Sequence, residues 1–329
     1  MLTELEALGW GTDFERDYQA YLGALTPEEQ ALVQPVRVTG TGRQSVQVRG
    51  AQGEEEVQLA GALRQAQVTP AIGDWAVRQD TGAGPGRLVH VLPRRTTFSR
   101  AVGADDGRRA QAARQQIIAA NVDVVLIVTT PDADFNAERL TRYVQAVEVS
   151  GARPVLVLNK ADLHADVTWY LEQLRAVGPD LELHAVSAAA GAGLEGLRAL
   201  LTGGVTLALI GSSGVGKSTL TNALLEGDVA VTGAVRSTDG QGRHTTTTRT
   251  LYRVPGGGLL IDNPGLRDIA VWDSASVHFD DLEELATQCR FRKCTHTTEP
   301  GCAVQAAVRA GEIPASRLAA FQAQARKRR

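Results

Sequence analysis

The chain has 329 residues, which suggests two or three domains, and its hydrophobic content of 43% is sufficient for buried cores. No run of eighteen apolar residues occurs and the first ten residues lack a basic-then-apolar signal pattern, so we expect a cytoplasmic protein without a transmembrane helix. The net charge of −3 combines an acidic segment of about −6 at residues 1–35 with two basic segments of about +5, at residues 86–114 and after Cys302, which can bind phosphate backbones.

The first two predicted units are a short helical segment and a small barrel. Residues 1–35 are predicted to form an acidic, mostly helical extension to which the sequence assigns no function. From residue 36, short alternating runs broken by glycine follow, such as "VRVTGTGRQSVQVRG" (36–50) and "RLVHVLP" (87–93). This alternation is typical of short strands joined by tight turns. About five such strands predict a closed β-barrel over residues 36–100, with an OB-fold as the leading candidate.

The central part of the chain has the pattern of an α/β domain. Predicted buried strands cover residues 122–129, 153–159, 182–188, 205–211 and 258–265, and predicted helices include 136–151 and 193–203. Apolar strands that alternate with amphipathic helices indicate a parallel sheet covered on both faces. We therefore predict a domain over residues 101–275, followed by a third domain over residues 276–329 that contains all three cysteines.

The stretch "GSSGVGKST" matches the phosphate-loop pattern between a predicted strand and a predicted helix. Its glycines let the backbone N–H groups and the positive end of the following helix face an anion. Lys217 is predicted to reach the β- and γ-phosphates of a nucleotide, and the Ser218 hydroxyl to ligate Mg²⁺. The predicted phosphate-binding residues are Gly211, Ser212, Ser213, Gly214, Val215, Gly216, Lys217, Ser218 and Thr219.

A companion carboxylate is predicted at "DNPG", residues 262–265. Asp262 follows an apolar strand, at the sheet edge where open α/β sheets bind ligands. We expect Asp262 to hold Mg²⁺ through water and the Gly265 N–H to meet the γ-phosphate.

The stretch "NKAD" at residues 159–162 predicts recognition of guanine. The Asp162 carboxylate can accept from guanine N1–H and N2–H together, which adenine cannot match. We expect Asn159 to brace the loop and the Lys160 stem to cover the base. Ser187 and Ala188 resemble a second guanine loop in which a backbone N–H meets O6.

The guanine box precedes the phosphate loop in this chain, whereas an ordinary GTPase has the opposite order. Because the two loops need only converge at one edge of the sheet, a circular permutation would preserve the site. We therefore predict a circularly permuted P-loop GTPase domain that binds GTP or GDP.

The cysteines predict a metal site. Cys289, Cys294, His296 and Cys302 have the spacing C-x₄-C-x-H-x₅-C. Three thiolates and one imidazole make a complete tetrahedral set, which indicates one structural Zn²⁺ rather than a catalytic ion or a disulfide framework. Zinc binding is expected to supply much of the folding energy of this small unit.

The permuted order and the cysteine cluster together resemble the circularly permuted ribosome small-subunit-dependent GTPase A family, over about residues 36–302. Further matching stretches are "LPRRTTFSR" (92–100) and "GRHTTTT" (242–248). The resemblance implies an N-terminal OB-fold barrel, a central permuted GTPase domain and a C-terminal zinc-binding domain. It also implies hydrolysis of GTP to GDP and phosphate, stimulation by the small ribosomal subunit, and a role late in the maturation of that subunit.

The hydrolytic residues are less well defined by the sequence. Leu266 follows "DNPG", and an apolar side chain cannot orient water as glutamine does in Ras-like enzymes, so slow intrinsic hydrolysis is expected. The resemblance offers His244 as the water-orienting group. One threonine of 245–248 is expected to sense Mg²⁺ and the γ-phosphate; Thr246 and Thr247 are favoured, and the sequence does not choose between them.

The barrel, the cysteine unit and the basic tail are predicted to bind ribosomal RNA of the small subunit. Trp75 is the main aromatic of the barrel, so recognition of backbone and shape is favoured over base stacking. A monomer without membrane contact is expected. Two alternatives remain open: a nucleotide-gated rRNA-binding module in which hydrolysis only resets the switch, and an ATP-dependent P-loop enzyme in which "NKAD" has no role.

Overall fold

The computed structural model describes residues 3–42, 45–82, 84–101, 115–227, 250–262, 279–292, 294–310, 312, 313, 315, 317–319, 321 and 322. Five residues that the sequence analysis discusses for hydrolysis or phosphate sensing lie outside this part of the chain: His244, Thr246, Thr247, Gly265 and Leu266. The end of the basic tail also lies outside it. Within the described residues, no helix is both long and apolar enough to cross a membrane.

The N-terminal segment is helical, as predicted. It contains α1 (Glu4–Ala7), α2 (Thr12–Leu22) and α3 (Pro27–Gln30). The hydroxyls of Thr3 and Thr26 each accept a hydrogen bond from a glutamate N–H three residues later, and that glutamate accepts in return from the threonine N–H. These two capping boxes explain why α1 and α3 begin where they do.

Five strands then form a closed ring. They are β1 (Val33–Thr41), β2 (Ser45–Gly50), β3 (Gly53–Leu59), β4 (Trp75–Gln79) and β5 (Arg87–Val91), with helix α4 (Gly61–Gln65) between β3 and β4. Strand β1 pairs with β2 and β4, β2 with β3, β3 in parallel with β5, and β5 with β4. Alternate residues point inward and form a core of small aliphatic side chains that includes Val36, Val38, Val46, Val48 and Val57. The strand pairings therefore close into a ring, which we call the barrel.

A hairpin that was not predicted joins the ring to the α/β part. Strand β6 (Thr97–Ala101) pairs antiparallel with β7 (Gln115–Ala120), and Ala119 also bridges to Ile72. The predicted domain boundary between residues 100 and 101 therefore falls inside β6.

The α/β part contains a mostly parallel sheet. Its strands are β8 (Val124–Thr129), β9 (Arg153–Leu158), β10 (Leu183–Ala185), β11 (Thr206–Ile210), β12 (Thr250–Arg253) and β13 (Leu259–Asp262). Its helices are α5 (Ala137–Ser150), α6 (Thr168–Val177), α7 (Glu195–Leu200) and α8 (Lys217–Leu225), with a 3₁₀ turn at Ala161–Leu163. The order is β10-β9-β8-β11-β13-β12, in which only β12 is antiparallel to its neighbour β13.

Both faces of this sheet are covered, as the apolar strand sequences predict. Along β8, Val125 and Ile127 face one hydrophobic core, whereas Val124, Leu126 and Val128 face the other. Strand β12 was not predicted. It pairs with β1 at Thr250 and so connects the sheet to the barrel strands.

The C-terminal unit has a core of its own. Helices α9 (Asp280–Thr287) and α10 (Ala303–Arg309) pack Leu282 and Val304 around the buried Phe279. The guanidinium of Arg317 lies 5.1 Å from the Phe279 ring centre and donates to the Val149 carbonyl near the end of α5. The unit is thereby attached to the α/β part.

Arg37 of β1 is buried where three distant segments meet. Its guanidinium donates to the carbonyls of Leu8, Gly73 (3.3 Å) and Asn121 (2.9 Å) and lies 5.5 Å from the Trp75 ring centre. Burial lowers the pKa of Arg37 to about 10, so the side chain remains charged at neutral pH. The N-terminal segment, the barrel and the chain entering β8 are therefore held by one side chain.

Candidate nucleotide-binding site and metal centre

The predicted phosphate loop lies between β11 and α8, at the carboxyl edge of the parallel sheet. Gly211, Gly214 and Gly216 have φ values of 141°, 86° and 92°, a region that disfavours other residues. A Cβ atom on Gly211 would lie 2.2 Å from the Val128 carbonyl oxygen, and one on Gly216 would lie 2.4 Å from the Asn159 amide nitrogen. The loop therefore needs glycine at these positions for its shape and for its close contact with neighbouring strand ends.

Lys217 begins α8, and its ammonium group folds back over the loop. The Lys217 Nζ donates to the carbonyls of Gly211 (2.6 Å) and Ser212 (2.5 Å). The positive charge therefore lies at the mouth of the loop. Ser218 follows in the first turn of α8, and Asp262 ends β13, the strand that pairs in parallel with β11. The sheet thus brings the two predicted Mg²⁺ ligands to one edge.

Asn159, at the end of β9, joins the two predicted guanine loops to the phosphate loop. Its amide Nδ2 donates to the Val215 carbonyl at 2.8 Å, and its Oδ1 accepts from the Ala188 N–H at 3.0 Å. Beside it, the Lys160 Nζ donates to the Gly214 carbonyl at 2.8 Å. The predicted guanine box and the phosphate loop are therefore in contact, although the residues that bond are more than fifty positions apart. The guanine box comes first in the chain, which is the reverse of the usual order.

In the rest of the predicted guanine site, Asp162 is exposed whereas Ser187 and Ala188 are buried. Asp162 lies exposed in the 3₁₀ turn that follows β9. Ser187 exchanges two backbone hydrogen bonds with Ala192, of 2.9 and 3.0 Å, and its hydroxyl accepts from the Ala190 N–H. This tight turn fixes the backbone around Ala188, and the Ala161 N–H of the 3₁₀ turn donates to the Val186 carbonyl at 3.1 Å, so the two predicted guanine loops are adjacent.

The cysteine cluster forms as predicted. Cys289 Sγ lies 3.8 Å from Cys302 Sγ and 3.6 Å from His296 Nδ1, which is 3.4 Å from Cys302 Sγ; with Cys294, all four ligand atoms lie within 4.8 Å of one another. In a tetrahedral zinc site, Zn–S bonds of about 2.3 Å and a Zn–N bond of about 2.0 Å place two sulfur atoms about 3.8 Å apart and a sulfur and a nitrogen about 3.5 Å apart. The sulfur separation is far beyond the length of about 2.05 Å in a disulfide. The donors therefore fit a tetrahedral zinc ion.

Glu299 shapes the loop that carries His296, and sequence reasoning missed it. Its carboxylate accepts from the N–H groups of Thr295 (2.7 Å), Thr297 (2.9 Å) and Thr298 (3.1 Å). Hydrogen bonds from the Thr295 hydroxyl and N–H hold the pKa of Glu299 well below its usual range. The signal available in the sequence was a glutamate three residues after a predicted metal-ligating histidine; the φ of 58° at His296 is visible in the structure alone.

The fold and the site define a class of protein. A phosphate loop and an Asn-Lys-x-Asp loop meet at one edge of a parallel sheet, with the guanine loop earlier in the chain. This is the arrangement of a circularly permuted P-loop GTPase.

Comparison with known proteins identifies the family. The profile described as "RsgA GTPase" matches residues 91–272, and the chain belongs to that family. It is 40% identical to "Small ribosomal subunit biogenesis GTPase RsgA" of Methanosarcina acetivorans, over 95% of this chain and 82% of the relative. The protein of the same name from Opitutus terrae is also 40% identical, over 97% of this chain and 88% of the relative.

Two solved structures support the same fold. YjeQ from Thermotoga maritima superimposes with a TM-score of 0.56 at 26% identity, over 88% of this chain and 96% of that structure. A structure described as "YloQ, a circularly permuted GTPase" gives a TM-score of 0.51 over 93% of this chain and 99% of its own, and at 22% identity it supports the fold alone.

Proposed function

We propose that this protein is a GTPase that binds the small ribosomal subunit, assists its late maturation and hydrolyses GTP to GDP and phosphate faster when bound there. The observation that carries the proposal is the bonding of Asn159 to Val215 and Ala188, which unites the guanine and phosphate loops in one site. The names of the relatives, which match nearly the whole chain, support the small subunit as the partner.

Base selection is assigned to Asp162. Its exposed carboxylate would accept from guanine N1–H and N2–H, with the Lys160 stem over the ring and a backbone N–H of the second guanine loop directed at O6. Asp162→Asn is expected to weaken GDP binding by at least about tenfold and to shift the preference toward xanthosine diphosphate. Competition between guanosine, xanthosine and adenosine diphosphates for the site measures the base preference. Asp180→Asn, at another exposed aspartate, is the matched control. An unchanged preference would favour the ATP-dependent alternative.

Phosphate binding is assigned to the loop from Gly211 to Thr219. The Lys217 Nζ would exchange the carbonyls of Gly211 and Ser212 for phosphate oxygens, since an anion is a stronger partner for an ammonium group. The Ser218 hydroxyl and, through water, the Asp262 carboxylate would hold Mg²⁺, which neutralises charge on the phosphate oxygens.

Hydrolysis is assigned to residues outside the described part of the chain. Leu266 cannot orient water, so intrinsic turnover should be slow. We propose that His244 orients the attacking water, with Thr246 or Thr247 on Mg²⁺ and the Gly265 N–H on the γ-phosphate. Subunit binding would favour this set of contacts and so stimulate hydrolysis.

The barrel and the cysteine unit are assigned to rRNA binding. The five-strand ring, with β1 between β2 and β4 and with β3 parallel to β5, supports an OB-fold. Trp75 is fully buried and therefore inaccessible to a base, which favours recognition of the RNA backbone. We propose a monomer with one structural Zn²⁺ on Cys289, Cys294, His296 and Cys302.

Measuring GTP turnover with no ribosomal particles, with large subunits and with small subunits tests the proposal. Small subunits should raise the rate many-fold, and equal rates in all three conditions would refute it. Lys217→Ala tests whether the nucleotide controls subunit binding. Loss of nucleotide binding with unchanged subunit affinity in every nucleotide state would exclude both a GTPase switch and a nucleotide-gated RNA-binding module.

A further inference from the structure

A cluster of five side chains lies beside the guanine box, and we call it the aromatic patch: Phe135, Leu163, His164, Trp169 and Tyr170. The ring of Tyr170 is at its centre, with ring-centre distances of 5.1 Å to Phe135, 5.0 Å to Trp169 and 5.8 Å to His164. Phe135 and Trp169 are 5.8 Å apart. Leu163 is the neighbour of His164 in the chain and ends the 3₁₀ turn that contains Asp162.

Two members of the patch are exposed to an unusual degree, while Phe135 and Tyr170 are partly buried against the main hydrophobic core. Leu163 and Trp169 are 69% and 58% exposed, which makes them the two most exposed large hydrophobic side chains in the described part of the chain. Single exposed apolar residues are ordinary, but contiguous apolar clusters mark interaction sites, and tryptophan is enriched where binding energy concentrates. Only 5% of the chain is Phe, Trp or Tyr, so three such rings beside the ring of His164 in one surface cluster are a considerable concentration.

The patch rests on ordered backbone. The Phe135 N–H donates to the Asp132 carbonyl at 3.0 Å, and the Asp132 carboxylate accepts from the Thr130 hydroxyl at 2.8 Å. Asp166 accepts from the Thr168 N–H at 2.8 Å and so fixes the start of α6, which carries Trp169 and Tyr170. Because the rings are positioned before binding, a partner would lose little conformational entropy in ordering them.

The surroundings of the patch are acidic. Residues 131–136 and 161–173 contain five carboxylates and no lysine or arginine, and all five are exposed: Asp132, Asp134, Asp162, Asp166 and Glu172. Hydrogen bonds from Thr168 lower the pKa of Asp166 and keep it ionised. Of the flanking cations, Lys160 donates to the Gly214 carbonyl and Arg139 pairs with Asp134, while Arg175 lies three residues beyond Glu172 in α6. When Asp162 binds guanine, Asp132, Asp166 and Glu172 are the carboxylates left for a partner. The local potential therefore repels a phosphate backbone and attracts a cation.

We propose that the aromatic patch docks a cationic, arginine-containing polypeptide segment presented by a protein of the small ribosomal subunit. An arginine guanidinium can stack on the Trp169 ring while its N–H groups reach the surrounding carboxylates, a pairing that fits both the rings and the charge. The inference rests on the proposed function, which supplies the subunit. It assigns the RNA and protein contacts to different surfaces, with protein docking next to the guanine box.

Site-specific photocrosslinking tests the docking. Trp169→p-benzoyl-phenylalanine in the full-length protein is bound to purified small subunits with a non-hydrolysable GTP analogue, irradiated and digested for mass spectrometry. The expected crosslink is to an arginine-containing peptide of a subunit protein. In parallel, Trp169→Ser and Leu163→Ser should each weaken subunit binding by at least about fivefold, the scale of an important interface residue. Leu32→Ser, at a distant and 47% exposed side chain, is the control and should leave binding unchanged.

The outcomes separate this proposal from the proposed function. Crosslinks to rRNA, crosslinks within the chain, or unchanged affinity of both serine variants would overturn the docking proposal while leaving subunit binding intact. If the unmodified protein fails to co-sediment with small subunits, the proposed function fails, and the docking proposal with it.

Discussion

The buried guanidinium of Arg37 joins three segments that are far apart in the chain, so Arg37→Met should loosen all three together. Methionine keeps an apolar side chain of comparable length in the site. The carbonyls of Leu8, Gly73 and Asn121 lose their common donor, and the contact with the Trp75 ring loses its charge. The variant therefore tests whether the N-terminal segment is an integral part of the fold.

The expected loss of stability follows from two orphaned acceptors, the carbonyls of Leu8 and Asn121, since the Gly73 carbonyl still accepts from the Asn121 side-chain amide at 3.0 Å. A buried carbonyl that loses its partner costs at least about 1 kcal/mol, so the two together cost at least about 2 kcal/mol. Removing the burial cost of the guanidinium itself offsets part of this loss. We expect the free energy of unfolding to fall by about 2 kcal/mol.

Urea unfolding followed by tryptophan fluorescence measures this change, because Trp10 and Trp75 pack 4.6 Å apart at the junction. Arg49→Met is the matched control, since Arg49 is partly exposed and its ion pair with Glu4 at the surface should contribute less than about 1 kcal/mol. If the free energy of unfolding fell by the same small amount in both variants, the structural role of Arg37 would be refuted. Amide exchange at residues 5–9 should accelerate in Arg37→Met alone.

Three further predictions concern the site and the stability of the fold. Asn159→Ala should weaken GDP binding by about 10- to 100-fold in calorimetry, because two hydrogen bonds that join the loops are lost; unchanged affinity would contradict the bracing role. Chelation should remove one zinc per chain and abolish amide-exchange protection between Cys289 and Cys302 while the α/β sheet stays protected; protein without stoichiometric zinc would contradict the site. Burial lowers the pKa of His90, so the unfolded chain binds this proton more readily, and the free energy of unfolding should fall as pH drops below about 6.5. His90→Gln should make the free energy of unfolding depend less steeply on pH in this range, and an unchanged pH dependence would contradict the prediction.

The α/β part was predictable because its signals are local. Each buried strand is a short apolar run, and both faces of β8 are covered, so the run needs no alternation. The phosphate loop, the guanine loop and the cysteine cluster are likewise defined by spacing within a few residues. The convergence of the phosphate loop and the guanine loop at one sheet edge follows from the parallel strands and holds in either chain order.

The N-terminal junction was not predictable, because its determinants are far apart in the chain. In β1, the alternation that turns Val36 and Val38 into the barrel turns Arg37 outward, which on sequence alone indicates a solvated side chain. Its burial depends on carbonyls at residues 8, 73 and 121, which no local pattern brings together. The same packing buries Trp75 beneath Trp10, so an aromatic residue considered for base contact belongs to the core.

The permutation changes what is attached to the nucleotide site and leaves the site itself intact. Asn159 and the phosphate loop meet through strand ends, so their hydrogen bonds are the same whichever loop comes first. After Asp262, however, the chain continues toward α9 and the cysteine unit. Glu284 of that unit pairs with Arg16 of the N-terminal segment and with Arg95, which lies between β5 and β6, and both ion pairs are partly exposed and weak. The contact of the cysteine unit with α5 uses the buried Arg317, so we infer that the unit is held more firmly to the GTPase sheet than to the barrel side.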